Sequence, residues 1–227
     1  MPEMPQTHNA ARLKRDHGKR AKRGFDVAIA VPLLVLTLPI QAATAIAVRI
    51  RLGSPVLFRQ TRPGLHAKSF EIVKFRTLTT INPERGLIDD ASRMTRLGRW
   101  LRATSLDELP TLWNVVRGDL SLVGPRPLLM SYVELYSPEQ ARRHQVRPGL
   151  TGLAQISGRN ALSWEEKFQL DVHYVDHHNF VSDLKILGRT VGSVVRRDGI
   201  SAAGAPTMPE FRGTQDFVAP TNHKEHA

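Results

Sequence analysis

The sequence predicts a helix-dominated α+β protein, with an N-terminal membrane helix broken by proline, then a small cytosolic domain built around one β-hairpin and amphipathic helices. Three observations carry that prediction. A stretch without a charged residue runs from Val27 to Val48. Two β-patterned runs, Val56 to Gln60 and Ser69 to Thr77, flank a Pro-Gly pair and read as a hairpin. Most of the remaining chain shows helical periodicity with capping signals. On this reading residues 1–23 are a basic tail, 24–50 the broken membrane helix and 51–200 the soluble domain. Residues 201–227, rich in Ala, Pro, Gly and Thr without periodicity, are a loosely held tail.

The uncharged stretch covers about 22 positions, roughly 33 Å of helix, enough to span a bilayer. Pro32 and Pro39 interrupt it, and Pro39 lies near its middle. An interior proline removes a backbone hydrogen bond and bends a helix. Both flanks are basic: Lys14, Arg15, Lys19, Arg20, Lys22 and Arg23 precede the stretch, and Arg49 and Arg51 follow it. Basic flanks favour the cytoplasmic side. A helix that enters one leaflet, bends near Pro39 and returns keeps both flanks there, and this re-entrant reading is preferred. A kinked transmembrane helix is the alternative, because spans tolerate prolines. A secretory signal peptide fits poorly, since the stretch exceeds the usual apolar region of roughly 7–15 residues.

The 227 residues are 41% hydrophobic and carry a net charge of +11, with a pI of 10.6. So basic a chain points to an anionic partner: phosphorylated substrates, an acidic membrane surface or nucleic acid. Aromatic residues make up only 6%, which argues against single-stranded nucleic acid, whose binding relies on stacking. The absence of cysteine excludes disulfides, thiolate metal sites and a Cys nucleophile.

Within the soluble domain, Arg62-Pro63-Gly64-Leu65 has the order of a type II turn. On the second strand Lys74 and Arg76 point to the same face. Ile81 to Asp90 reads as a polar loop. Ala91 to Ala103 reads as one helix, with Met94, Leu97, Trp100 and Leu101 beside Arg93, Arg96, Arg99 and Arg102. That pattern suits a helix lying in a membrane interface and equally a surface helix packed on the domain. Ser137-Pro138 starts a further helix, Ser163 and Glu166 form a capping box for another through about His178, and Asp183 to Arg197 is the last, ended by Asp198-Gly199.

The chemistry concentrates in three motifs. Ser105-Leu106-Asp107-Glu108-Leu109-Pro110 places two adjacent carboxylates at a helix start, with Ser105 and Glu108 as a capping box or Asp107 as the cap. A helix N-terminus keeps such an Asp ionised, and an ionised Asp can attack phosphorus. A neighbouring Glu can hold Mg²⁺ or handle a proton. Viewed alone the motif is ordinary, since acidic residues favour helix starts everywhere. In Gly118 to Pro127, Pro125 and Pro127 bracket Arg126 and present its guanidinium from a stiff backbone, suited to phosphate. In Arg147 to Gln155, the glycines can bring backbone N–H groups to an anion beside Arg147. Lys74, Arg76, Arg102, Arg126 and Arg147 are thus the candidate phosphate-binding cations, and phosphoryl transfer from a diphosphate needs several of them plus Mg²⁺. His173 and His177 have metal-capable spacing but read more readily as surface or capping residues.

Taken in order, these motifs resemble the bacterial sugar transferases, also called monotopic phosphoglycosyl transferases, over Lys22 to Gly199. The resemblance rests on the basic pair before a Pro-broken apolar helix, Lys74-Phe75-Arg76-Thr77, Leu97-Gly98-Arg99-Trp100-Leu101-Arg102, Ser105 to Pro110, Gly118 to Pro127, and Arg147 to Gly152. It implies transfer of a phospho-sugar from a UDP-sugar to polyprenyl phosphate with Mg²⁺, releasing UMP, as the first step of polysaccharide or glycoconjugate assembly. Asp107 matches the family nucleophile, which forms a covalent phospho-sugar intermediate. Glu108 matches its partner, implicated with Asp107 in holding Mg²⁺. Arg102, Arg126 and Arg147 are the implied phosphate binders. The membrane helix is re-entrant, and the catalytic domain lies on the cytoplasmic face of the bacterial inner membrane against anionic lipids, with no nucleic-acid partner. A homodimer fits the broad apolar surface. Two positions depart from many relatives. Leu38 replaces a Ser before the helix-breaking proline, a role Thr37 can take over, and Thr111 replaces a Gln after Asp-Glu-Leu-Pro.

Overall fold

A computed structural model of the chain describes residues 6–158, 161–196 and 210–213. The expected stop at Asp198-Gly199 and most of the expected C-terminal tail lie outside the described residues. The architecture is helix-dominated α+β. Residues from Gln6 onward, expected as a tail, already belong to the first helix.

Helices α1 (Gln6–Leu36) and α2 (Leu38–Leu52) meet at Thr37 with a bend of 59°. Pro39 sits in the first turn of α2, where a missing N–H needs no partner. Thr37 closes the joint: its hydroxyl donates to the Leu33 carbonyl at 2.6 Å and accepts from Gln41 Nε2 at 3.0 Å. A serine before the proline is therefore not required here. Among the described residues no single helix is long and apolar enough to cross a membrane, and the two arms pass that test only as a bent pair. Val35, Leu36, Leu38 and Ile40, around the bend, are exposed.

Both arms are rooted in the same body. At the base of α1, Lys22 pairs with Asp183 at 2.5 Å, and Arg23 donates to the carbonyls of Val115 and Val116 at 2.5 and 2.7 Å. Asp26 is buried and accepts from the Leu122 N–H. At the end of α2, Val48 packs against Phe75 and Leu101, and Arg76 donates to the Leu52 and Ser54 carbonyls.

The expected hairpin is present: β1 (Leu57–Pro63) runs antiparallel to β2 (Ser69–Phe75), in register from Leu57 opposite Phe75 to Pro63 opposite Ser69. Its turn is not type II. That turn needs a positive φ at Gly64, which instead has φ −101°, and the chain reverses through His66 and Ala67 at φ 54° and 57°. The single helix expected over Ala91 to Ala103 is two pieces, α3 (Asp90–Arg93) and α4 (Arg96–Ala103). Met94 leaves the helix to bridge Leu78, and the Thr95 hydroxyl caps α4 by accepting from the Gly98 N–H at 2.9 Å. Gly98 is required by close approach: a Cβ there would lie 2.0 Å from the Thr77 carbonyl oxygen. Leu101 is buried while Trp100 remains half-exposed.

A 3₁₀ segment, Leu106–Thr111, leads directly into α5 (Leu112–Arg117). Next come β3 (Ser121–Val123), α6 (Pro138–Ala141) and β4 (Gly149–Thr151), with β4 parallel to β3. The chain closes with α7 (Leu153–Ser157), α8 (Trp164–His177) and α9 (Phe180–Arg196), which starts three residues before the expected Asp183. The expected N-cap at Ser137 and the capping box of Ser163 and Glu166 are present. One core gathers Val115, Leu120, Val123, Tyr174 and Ile186; another stacks Tyr132, Phe168 and Trp164 around Phe211. Phe211 lies in the stretch expected to be loose, yet it is buried.

Asn114 fastens α5 to the hairpin. Only 1% exposed, it accepts from the Val73 N–H at 3.1 Å and donates to the Glu71 carbonyl at 2.7 Å. Thr111, also buried, donates its hydroxyl to the Val73 carbonyl at 2.8 Å. This gives the departure at Thr111 a role: a short hydroxyl fits the gap between the 3₁₀ segment and β2. Asn114→Ala orphans a buried donor and a buried acceptor and is expected to destabilise the fold by about 2–4 kcal/mol. Thermal unfolding in detergent reads the change; an unaltered transition would mean that apolar packing alone holds α5.

Candidate active site

Asp107 and Glu108 sit in the first turn of the 3₁₀ segment, directly against β2. The expected caps do not form. Ser105 adopts a left-handed conformation, φ 56°, and its side chain caps nothing. The tight turn instead sends the two carboxylates in different directions. Glu108 Oε1 accepts from Lys74 Nζ at 2.5 Å and from Arg126 Nη2 at 2.9 Å. Both bonds fall on Oε1, so Oε2 has no protein partner among the described residues. Asp107 is buried beside this trio, and no described side chain donates a hydrogen bond to its carboxylate.

The two carboxylates titrate in opposite directions. Burial raises the Asp107 pKa to about 6, with Glu108 adding to the rise; Lys74, Arg102 and Arg126 pull the other way and lose. Burial also opposes the charge on Glu108, but Lys74 and Arg126 outweigh it and hold that carboxylate well below the usual range. The Lys74 ammonium is itself lowered, first by burial and also by Arg126, against the pull of Glu108. The sequence led to an Asp107 kept ionised by a helix N-terminus; with a pKa of about 6 the carboxylate is still mostly charged at pH 7, but desolvation raises that pKa from the ordinary value.

Five of the seven residues expected at the site come together. Lys74, Arg126 and Glu108 form one ion cluster, Asp107 lies against it, and Arg102 faces Asp107 while its Nε donates to Thr77 Oγ1 at 3.1 Å. Arg76 and Arg147 do not join them. β2 ends at Phe75, so the alternation that would put Arg76 beside Lys74 lapses, and Arg76 is spent on the α2 carbonyls. Arg147 donates its Nε to the Gly118 carbonyl at 3.0 Å. At Gly149 the glycine loop has no N–H left for an anion. The Gly149 N–H is taken by the Pro125 carbonyl, and a Cβ on Gly149 would meet Gly124 N at 2.1 Å. The loop is a backbone-on-backbone joint between β3 and β4. His173 and His177 stack ring on ring at 4.3 Å on α8, and among the described residues no cluster of three acidic or histidine residues could hold a metal.

Sequence reasoning missed the frame behind Arg126. Arg143 and Asp171, both almost fully buried, pair at 2.7 Å. Arg143 Nη2 also donates to the Arg126 carbonyl at 2.7 Å, and Nη1 to the Tyr136 hydroxyl at 3.0 Å. The Pro-bracketed backbone is therefore held from behind while its guanidinium reaches Glu108. No local signal marks this pair, because its partners lie on separate elements 28 positions apart.

Two carboxylates, one free and poised near neutrality and the other locked among cations, suit attack on a phosphorus whose oxygens those cations bind. Comparison with known proteins agrees. The family model described as bacterial sugar transferase matches residues 17–197. The chain is 54% identical to an uncharacterized sugar transferase, EpsL, of Bacillus subtilis, over 86% of this chain and 97% of that protein. It is 43% identical to a UDP-glucose:undecaprenyl-phosphate glucose-1-phosphate transferase of Caulobacter vibrioides, over 78% of this chain and 70% of that one. Identity to an undecaprenyl-phosphate galactose phosphotransferase of Salmonella typhimurium is 34%, over 83% of this chain but 44% of that longer protein. The chain belongs to the bacterial sugar transferase family.

Proposed function

We propose that the protein transfers a phospho-sugar from a UDP-sugar to polyprenyl phosphate, releasing UMP, through an aspartyl phospho-sugar intermediate formed on Asp107. The observation that carries this reading is the pairing of a buried Asp107, to which no described side chain donates a hydrogen bond, with a Glu108 clamped by Lys74 and Arg126. The names of the Caulobacter and Salmonella relatives support the donor and acceptor classes. A relative in Rhizobium meliloti, 38% identical, is named as an exopolysaccharide production protein, which supports a place in exopolysaccharide production.

In the first half-reaction the Asp107 carboxylate attacks the sugar-bearing phosphorus, and the bond to the bridging oxygen breaks. UMP leaves with the electron pair. Arg126 and Arg102 hold the phosphate oxygens, and the burial that keeps Asp107 poorly solvated leaves its carboxylate a stronger nucleophile. In the second half-reaction the lipid phosphate attacks the same phosphorus and frees Asp107. The residues present fit Mg²⁺. Asp107 and Oε2 of Glu108 are uncommitted oxygens, and two carboxylates completed by substrate phosphates are a usual Mg²⁺ arrangement. When bound, the ion would neutralise charge on the diphosphate.

The bent pair α1–α2 is read as re-entrant. Both of its ends are fastened to the catalytic body, and the exposed apolar residues run through the bend from Val31 to Ile40, with Ile46 and Ile50 further along α2, which supports a helix pair that dips into the bilayer and returns. The catalytic domain then lies on the cytoplasmic face, its basic residues against anionic lipid.

Asp107→Asn is expected to lower UMP release by about a thousandfold or more while leaving the protein folded and membrane-bound. In wild type without lipid phosphate, about one equivalent of UMP per enzyme should appear as a burst. Full activity of the Asn variant would remove Asp107 as nucleophile.

Attack requires the Asp107 carboxylate, whose pKa lies at about 6. As pH falls through that value the carboxylate takes up its proton, so kcat/KM should fall about tenfold per pH unit below it. Glu108, held far lower, stays charged through that window. A kcat/KM flat from pH 8 to pH 5 would contradict the assignment.

Because the chain has no cysteine, Arg20→Cys and Arg51→Cys can be labelled singly with an impermeant maleimide. Both are expected to react from the cytoplasmic side alone; reaction of the two from opposite sides would establish a span.

A further inference from the structure

A cavity of about 580 Å³ lies where α2 ends and β1 begins, apart from the ion cluster. The stretch Ser54 to Arg59 lines it, together with Arg76. Pro55, Val56, Leu57 and Phe58 make most of that wall apolar. Phe58 is 44% exposed, a large apolar side chain left open at the cavity. Leaving such a ring in water is unfavourable, so the wall suits an apolar ligand. Charge at the cavity is one-sided. Arg59 is answered by Glu71. Arg76 is buried, and among the described residues no carboxylate pairs with it. Its Nη1 and Nη2 donate to the Ser54 and Leu52 carbonyls, and its Nε has no hydrogen-bond partner. The ligand that fits both features is an apolar chain with an anionic head.

Contacts on two sides set this cavity between the bent helix pair and the dyad. Phe58 lies opposite Lys74 in the hairpin register, so the two side chains share one face of the sheet. Lys74 Nζ in turn lies 2.5 Å from Glu108 Oε1. Val56 and Leu57 pack with Val48 of α2 in the same apolar cluster as Leu106, the residue before Asp107. Helix α2 ends at Leu52, and the cavity wall begins at Ser54. A chain resident in the bilayer that follows α2 to its end meets this wall before it meets the carboxylates.

Resting on the transferase reading above, we propose that this cavity holds the isoprene units next to the phosphate of the polyprenyl phosphate acceptor. Phe58 lies against the chain, and the uncompensated charge of Arg76 favours the arriving phosphate. The donor nucleotide has no isoprenoid chain to lay on such a wall. The first half-reaction therefore does not use Phe58, and the second does.

The test compares Phe58→Ala and Phe58→Leu with wild type and with Val191→Ala, an exposed apolar position on α9, in the full-length protein in detergent with Mg²⁺. The UMP burst without acceptor should keep its wild-type rate in all of them. Transfer from the preformed phospho-sugar enzyme should need about 10- to 100-fold more polyprenyl phosphate for half-saturation in Phe58→Ala, with little change in Phe58→Leu and none in Val191→Ala. A second readout needs no turnover. Because the chain has no cysteine, Phe58→Cys and Val191→Cys can each be labelled with a maleimide. Polyprenyl phosphate should slow labelling of Phe58→Cys alone, and UMP should slow neither. Unchanged half-saturation, equal slowing of both half-reactions, or protection of Phe58→Cys by UMP in place of polyprenyl phosphate would overturn the proposal. Thermal unfolding screens for misfolding, and the labelling of Phe58→Cys decides the matter if Phe58→Ala does not fold. Failure of the transferase reading looks different: wild type gives no UMP burst with any UDP-sugar, whatever polyprenyl phosphate does to the labelling.

Discussion

Glu108 stands between Lys74 on the hairpin and Arg126 on the Pro-bracketed loop, and one carboxylate oxygen takes both cations. Three chain segments, separated by 34 and 18 positions, are thereby tied at a single atom. Remove that charge and two half-buried cations face each other across the site. The ion cluster is therefore a structural constraint as much as a chemical one. It is expensive to bury, and it is tolerated because each partner is braced from behind. Asn114 and Thr111 hold the β2 backbone next to Lys74, and Arg143 holds the carbonyl of Arg126.

The same constraint separates two chemically similar neighbours. Asp107 and Glu108 are consecutive, carry the same functional group and are both shielded from water. Glu108 meets two cations within hydrogen-bond distance and stays charged. Asp107 meets none at that distance, and burial raises its pKa toward neutrality. Their division into a locked carboxylate and an unpaired one follows from which side of a 3₁₀ turn each side chain leaves, not from the residue types.

The bent helix pair is joined to the site by a few polar contacts. Arg23 caps the end of α5, and Arg76 caps the end of α2. Basic residues that flank an apolar run are ordinarily read as topology signals. Here Lys22 and Arg23, which flank the run, join the bent helix pair to the domain, as does Arg76 at the end of β2.

Local order in the chain determined much of this molecule. The charge-free run, the hairpin strands, the caps at Ser137 and Ser163 and the ordered series of motifs were all legible, because each depends on residues close in sequence. Asp107, Glu108, Lys74, Arg102 and Arg126 could be named as candidates for the same reason. Only the tertiary structure decided which cations converge. Arg76 and Arg147 looked equal to the others by residue type, yet one cation is taken by helix-end carbonyls and the other by the Gly118 carbonyl. The Arg143–Asp171 pair carries no local signature at all. Ion pairing and desolvation act across space between segments far apart in sequence, and so they are settled only when the chain has folded.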